Sequence, residues 1–150
     1  MSNSIAIIGG GPVGAIFALL NNSQKSKILL LESNSQIQTK NDKRALALSN
    51  GTKFILQKID VWKYLEERLT PIKTIHTSQK GTFGRSLMEA KEFEQEALGY
   101  IISYGDLVTA LQEKISHSKN IEALYNTEVL SFASKEKTQN LIFKYKSKEK

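Results

Sequence analysis

Four small or branched apolar residues, Ile5-Ala6-Ile7-Ile8, run into a cluster of glycines, and a second apolar run, Val13 to Leu20, leaves it. The pattern predicts a strand buried on both faces, a glycine turn and a helix. Lys27-Ile-Leu-Leu-Leu-Glu32 predicts a second strand that closes on an acid. Ser33 to Lys43 is polar with no hydrophobic period and predicts a loop. Asp42-Lys-Arg-Ala-Leu-Ala-Leu-Ser49 then carries a basic residue into a short apolar run. Ser49 suits the N-cap of a helix with Phe54, Ile55 and Ile59 at helical spacing. A second helix is predicted to restart at Asp60 or Val61, with Trp62, Leu65 and Leu69 on one face, and to end at Thr70-Pro71.

Residues 72–79 are rich in β-branched side chains and predict a strand. Lys80 to Gly84 is turn-like, and Arg85 to Ala90 suits the returning strand of a hairpin. Leu98 to Tyr104 predicts another strand. Gly105-Asp106 opens a helix whose apolar face is Leu107, Val108, Leu111 and Ile115. Three further strands, Ile121–Tyr125, Val129–Ala133 and Leu141–Tyr145, have no helix between them, which predicts an antiparallel meander. No internal repeat is visible. A plain dinucleotide-binding dehydrogenase domain would keep alternating strand and helix, so this order favours a flavin-type domain.

Gly9, Gly11 and Gly14 form G-x-G-x-x-G at the first strand-to-helix junction. Gly9 permits the tight turn, Gly11 lets a pyrophosphate approach the backbone, and Gly14 lets the helix pack close to the strand. Pro12 fits the first helical turn, where its missing N–H costs nothing. The helix aims its unpaired N–H groups and positive dipole end at the phosphates. Glu32 closes the second strand about 20 residues beyond the glycines, where a carboxylate can accept bonds from ribose hydroxyls. A βα unit without a ligand would leave both the spacing and the acid unexplained.

At 150 residues the chain suits one domain with a sizeable core. It has no cysteine, which excludes disulfides, thiolate metal sites and a Cys nucleophile. His76 and His117 are isolated, with no second ligand at metal spacing, so no metal site is expected. The run from Ile5 to Leu20 lacks a basic leader and is broken by glycines and Pro12, so it is neither a signal peptide nor a membrane span. Most of the net charge of +6 lies at the end: residues 135–150 hold six Lys against two Glu, a local +4. A solvated strand and frayed end account for this, with an anionic membrane surface as the alternative. There is no nucleic-acid module and no interleaving of Arg with aromatics, so nucleic acid is not an expected partner.

Gly9-Gly-Gly-Pro-Val-Gly14, Leu31-Glu32, Asp42-Lys-Arg-Ala-Leu-Ala-Leu-Ser49, Ile59-Asp-Val-Trp62 and Leu98-Gly-Tyr-Ile-Ile102 together resemble, in order and spacing, the FAD-dependent aromatic hydroxylases, and within them the ubiquinone-biosynthesis branch. The Ile75 to Ser78 strand adds to the resemblance, which covers nearly the whole chain. It implies an α/β fold: a Rossmann-like FAD-binding domain with a βαβ start, inserted β-strands and a β-meander. About 1–70 and 105–150 would form the nucleotide-binding core, and about 71–104 the start of a substrate-side β insertion. It implies FAD as cofactor, NAD(P)H as reductant, and hydroxylation of a prenylated phenol through a flavin C4a-hydroperoxide. Cofactor-binding residues would be Gly9, Gly11, Pro12, Val13 and Gly14 at the pyrophosphate, and Glu32 at the adenosine ribose. Arg44 would lie near the pyrophosphate and ribityl chain, Ala45 and the backbone to Ala47 along the flavin ring, and Val129 near the adenine. A planar, permanently charged donor such as Arg44 suits phosphate oxygens. No residue is assigned to catalysis. A ubiquinone-biosynthesis assembly is an implied partner, and the implied location is the cytoplasm, at most peripheral at the inner membrane.

Two departures from the family's pattern stand out. Many members place an arginine where this chain has Gly105, so one cofactor contact is expected to be absent. The chain stops before the family's later Asp-Gly and Gly-Asp elements, so the fold is expected to be incomplete, and the 150 residues alone to bind FAD weakly and not to turn over. Two other readings stay open: a different FAD- or NAD-dependent oxidoreductase that shares the nucleotide unit, and a non-catalytic nucleotide-binding remnant.

Overall fold

The computed structural model describes residues 3–23, 26–78, 80–81, 84–135 and 138–145. Residues 82–83 of the turn expected over Lys80 to Gly84, and four lysines of the basic tail (137, 146, 148 and 150), lie outside them. The chain begins with β1 (Asn3–Ile8), α1 (Pro12–Leu20), β2 (Ser26–Leu31), a short α2 (Gln36–Lys40), β3 (Ala45–Ser49) and α3 (Asn50–Lys58). Two 3-10 turns, Trp62–Tyr64 and Glu66–Arg68, lead into β4 (Thr70–Ile72), β5 (Thr74–Ser78) and β6 (Arg85–Glu89). A third 3-10 turn (Ala90–Phe93) precedes β7 (Gly99–Ser103), α4 (Tyr104–Ser116), β8 (Ile121–Leu124), β9 (Thr127–Lys135) and β10 (Thr138–Tyr145).

Parallel pairing of β1 with β2, and of β2 with β8, gives a three-stranded sheet in the order β1-β2-β8. One face packs on α1 and α4: Ala15, Ala18 and Leu19 of α1 and Leu107, Leu111 and Ile115 of α4 meet Ile28 and Leu30 of β2. The expected α4 face is therefore the buried one. Ile5 and Ile7 join this core from β1. The other face is open, with Ile8 56% exposed, so β1 is covered on one side and not on both. A cleft separates that open face from the β9–β10 hairpin, lined by Ala6, Ile8, Leu29, Phe132, Leu141 and Phe143.

A second sheet, β3-β7-β4, is antiparallel throughout, and β5 and β6 form a separate antiparallel hairpin. Pro71 lies in β4, an edge strand, where a missing N–H is tolerated. Trp62 and Tyr100 meet edge to face at 5.0 Å beneath this sheet, with Leu65 and Val61 buried beside them.

Four further expectations change. Ser33 to Lys43 is not all loop, because Ser35 and Gln38 form a capping box that starts α2. The second helix expected from Asp60 is a pair of 3-10 turns, entered through Asp60 at φ 56°. In α3 the core position is Leu56, while Phe54 is 68% exposed. Of the three strands expected in a meander, β8 is parallel to β2, and only β9 and β10 pair antiparallel. Among the described residues no helix is long and apolar enough to cross a membrane.

Two glycine-to-alanine substitutions should part company. A Cβ on Gly14 would overlap the carbonyl oxygen of Gly9, whereas one on Gly51, in the first turn of α3, meets nothing closer than Ser49 Oγ at 3.6 Å. Gly14→Ala should lower the unfolding free energy by about 1–3 kcal/mol as an overpacked contact. Gly51→Ala should raise it by about 0.5 kcal/mol through the unfolded chain. Urea denaturation of the two variants beside the parent checks both signs.

Candidate functional site

β1 ends against a turn in which Gly9 has φ +102°, a conformation that a side chain would strain, and the Gly9 N–H donates to the Leu31 carbonyl at 2.8 Å. Gly11 is the N-cap of α1 and offers no side-chain cap. The other three helices are each capped by a serine: Ser35, Ser49 and Ser103 accept from the backbone of Gln38, Thr52 and Asp106. Pro12 has no donor to leave unpaired, so the first N–H groups of α1 that need an acceptor belong to Val13 and Gly14. Val13 is 84% exposed at this end of the helix, above a small apolar groove formed with Ile7, Ile8 and Phe17. An uncapped, electropositive helix end beside a glycine turn is a competent anion site.

Glu32 follows β2 and is buried, with both carboxylate oxygens bonded to donors. Oε2 accepts from the Gly10 N–H at 2.7 Å. Oε1 accepts from the backbone and side-chain amides of Asn34, both at 2.8 Å, and from Ser33 Oγ at 3.3 Å. The Glu32 N–H donates to the Leu124 carbonyl, and its own carbonyl accepts from the Thr127 N–H. Oε2, with one partner, keeps acceptor capacity for a hydroxyl. Val129 stands two residues along β9 from Thr127, on the same face and half-buried.

Arg44 reaches the site by another route. The N–H groups of Tyr104 and Gly105, in the first turn of α4, donate to the carbonyls of Arg44 at 2.7 Å and Asp42 at 2.8 Å. That docks the segment before β3 onto the α4 N-terminus. The Arg44 side chain is 72% exposed. Its guanidinium grips Asp42 through Nε and Nη2 and lies over the Tyr104 ring, 4.8 Å from the centroid. The Arg44 hydrogen bond holds the Asp42 carboxyl below its ordinary pKa. Nη1 faces no acceptor among the described residues. Ala45 and Ala47 lie on the exposed side of β3, next along the chain.

Residue 105 cannot carry the arginine that the resemblance puts there. A Cβ on Gly105 would overlap the carbonyl oxygen of Lys40 and approach that of Asp42 to 2.9 Å, so the glycine is what lets the segment dock. The side chain that does face the glycine turn from α4 is Tyr104: its Oη is 3.3 Å from where a Gly11 Cβ would stand. Burial first, then the Glu32 charge, raises the Tyr104 pKa above its ordinary value, while Arg44 pulls it down. The phenol therefore stays protonated at neutral pH. The cofactor residues expected from the sequence do not include Tyr104. The available signal was Ser103, a capping residue closing a strand, which puts residue 104 on the first exposed helical turn.

The family model for an FAD binding domain matches residues 2–150, and the chain belongs to that family. It is 28% identical over 141 residues to the ubiquinone hydroxylase UbiM of Neisseria meningitidis, a match that covers 86% of this chain and 30% of that protein. Its fold matches that of p-nitrophenol 4-monooxygenase PnpA from Pseudomonas putida DLL-E4, with a TM-score of 0.73 at 17% identity over 95% of this chain and 37% of that one. The flavin-dependent monooxygenase PieE, solved with FAD and substrate, matches with a TM-score of 0.74 at 16% identity over 95% of this chain and 26% of PieE. The chain thus spans about a third of the length of these proteins and has the fold of the FAD-binding domains of flavin monooxygenases. The glycine turn, the bare α1 terminus, the carboxylate at the end of β2 and the guanidinium beyond Tyr104 are donors and acceptors that fit a dinucleotide.

Glu32 also carries stability that needs no ligand. In Glu32→Gln the amide oxygen will face Asn34, leaving its NH2 against the buried Gly10 N–H, two donors with no acceptor between them. The ligand-free protein should lose about 1–3 kcal/mol of unfolding free energy, the cost of a buried unpaired donor. Urea denaturation without added nucleotide reads this directly; an unchanged midpoint would show that the carboxylate is not a structural tie.

Proposed function

We propose that the chain supplies the FAD-binding portion of a flavoprotein monooxygenase that hydroxylates a prenylated phenol in ubiquinone biosynthesis, with NAD(P)H as reductant. The observation that carries the cofactor assignment is the one α-helix N-terminus without a side-chain cap among the described residues, with Glu32 bonded to the glycine turn before it and Tyr104, which supports Arg44, beside Gly11. The similarity to a ubiquinone hydroxylase supports the substrate class.

Bound FAD supplies hydride acceptance and oxygen activation, and the residues described here bind and orient it. The N–H groups of Val13 and Gly14 would donate to the pyrophosphate, helped by the α1 dipole. Glu32 Oε2 would accept from a ribose hydroxyl while Gly10 and Asn34 hold the carboxylate in place. Arg44 would offer its uncommitted N–H groups to phosphate or ribityl oxygens. The backbone from Ala45 to Ala47 would border the flavin ring, and Val129 the adenine. A prenylated substrate would bring the protein to a membrane surface as a peripheral partner, with other ubiquinone-biosynthesis proteins as neighbours.

The complete gene product, purified, should be yellow and release FAD on denaturation. It should consume oxygen with NAD(P)H when a prenylated phenol is added, and yield the hydroxylated ring. Arg44→Met should weaken FAD binding about tenfold, the scale of one charge-assisted hydrogen bond. A colourless folded product that releases no FAD would overturn the cofactor assignment. NAD(P)H oxidation without oxygen uptake would instead place the chain in another class of flavin oxidoreductase.

A further inference from the structure

We propose that Tyr104 is a phosphate-binding residue of the cofactor site, its hydroxyl donating across Gly11 to the pyrophosphate and its ring serving as the platform that aims Arg44. The inference rests on the FAD reading and names a residue to which that reading assigns no role.

Three observations carry it. First, Oη lies 3.3 Å from the Cβ position of Gly11, directly over the part of the turn that the missing side chain leaves open. Second, the hydroxyl has no hydrogen-bond partner among the described residues, although the charged groups that act on it, Glu32, Asp42 and Arg44, are all bonded. A phenol aimed at an uncapped helix end, with its donor unused, is ready for an acceptor. Third, the ring supports the Arg44 guanidinium at 4.8 Å, and the backbone of the same residue is bonded to the Arg44 carbonyl. Tyr104 therefore acts with the Asp42 carboxylate to set the position of the arginine. The close packing at Gly105 supports the same assignment, because it brings the Arg44 segment against the helix end that carries Tyr104.

The phenol stands where a bound phosphate has to come, so the same geometry could describe an obstruction. Binding measurements separate the two. FAD, ADP and adenosine are titrated by calorimetry into the complete apoprotein and its variants. Tyr104→Phe keeps the ring and removes the donor; it should weaken FAD and ADP about five- to tenfold, leave adenosine unchanged, and leave the melting temperature of the apoprotein where it was. Tyr104→Leu also removes the platform and should cost several-fold more. Arg44→Met should then cost less in the Tyr104→Leu background than in the parent, because the two residues act as a unit. Phosphate ligands bound by Tyr104→Phe as tightly as by the parent, or more tightly, would overturn the proposal, the latter showing an obstructing side chain. A parallel loss of adenosine would also overturn it, because the phosphates would then not be what the phenol touches. If the parent itself takes up neither FAD nor ADP, the FAD reading fails and the role of Tyr104 fails with it.

Discussion

One residue, Glu32, ties together the pieces on which the site is built. Its N–H reaches the end of β8, its carbonyl receives the start of β9, and its carboxylate binds both the glycine turn and the turn that follows β2. A buried carboxylate is costly unless its lone pairs are met, and here four donors meet them. The acid that a dinucleotide fold places at the end of its second strand is thus also the junction between the parallel sheet and the β9–β10 hairpin. Removing it would loosen the turn from the strand ends at the place where a nucleotide has to be gripped.

The second half of the site depends on a different contact. Arg44 is far from the glycine turn in sequence and stands immediately before the other sheet's first strand, β3. It arrives because α4 presents its free N–H groups to the carbonyls of residues 42 and 44, and because position 105 has no side chain to keep that segment away. Helix ends thus serve twice. The α1 terminus is left bare, while the α4 terminus is satisfied by a backbone segment that it positions. The guanidinium is then oriented by Asp42 and the Tyr104 ring, an exposed arrangement that salt will weaken but that leaves donors available.

What could be read from the sequence tracks how strongly each segment is patterned. The βαβ start and α4 carry long apolar runs with clear ends, and their elements lie where periodicity puts them. Five-residue α2 carries no apolar stripe, and its one sign is the Ser35–Gln38 box. In α3, three neighbouring apolar residues compete for the core. Leu56 is buried rather than Phe54 because the helix packs on β3 and the Trp62 turn, which local spacing does not reveal. β8 is a four-residue strand, and nothing within it tells whether its partner is the next strand or one ninety residues earlier. The glycine turn and Glu32 are local enough to be named from spacing. Tyr104 and the true role of Gly105 depend on a tertiary contact between residues 40–44 and 103–105.

The two ends of the candidate site differ in how far they are prepared. At the acid end the carboxylate is held by protein donors whether or not a ligand is present, so a ribose would meet a group already oriented, at little cost in ordering. At the phosphate end the α1 N–H groups, the Tyr104 hydroxyl and part of the Arg44 guanidinium have no protein acceptor among the described residues. Water must serve them until an anion does. Binding energy should therefore come mainly from the phosphates, and register mainly from Glu32. A ligand that satisfies those donors binds only the folded chain, and so stabilises it by mass action. The same phosphate-end donors would then join the α1 terminus to α4 and to the Arg44 segment docked on it.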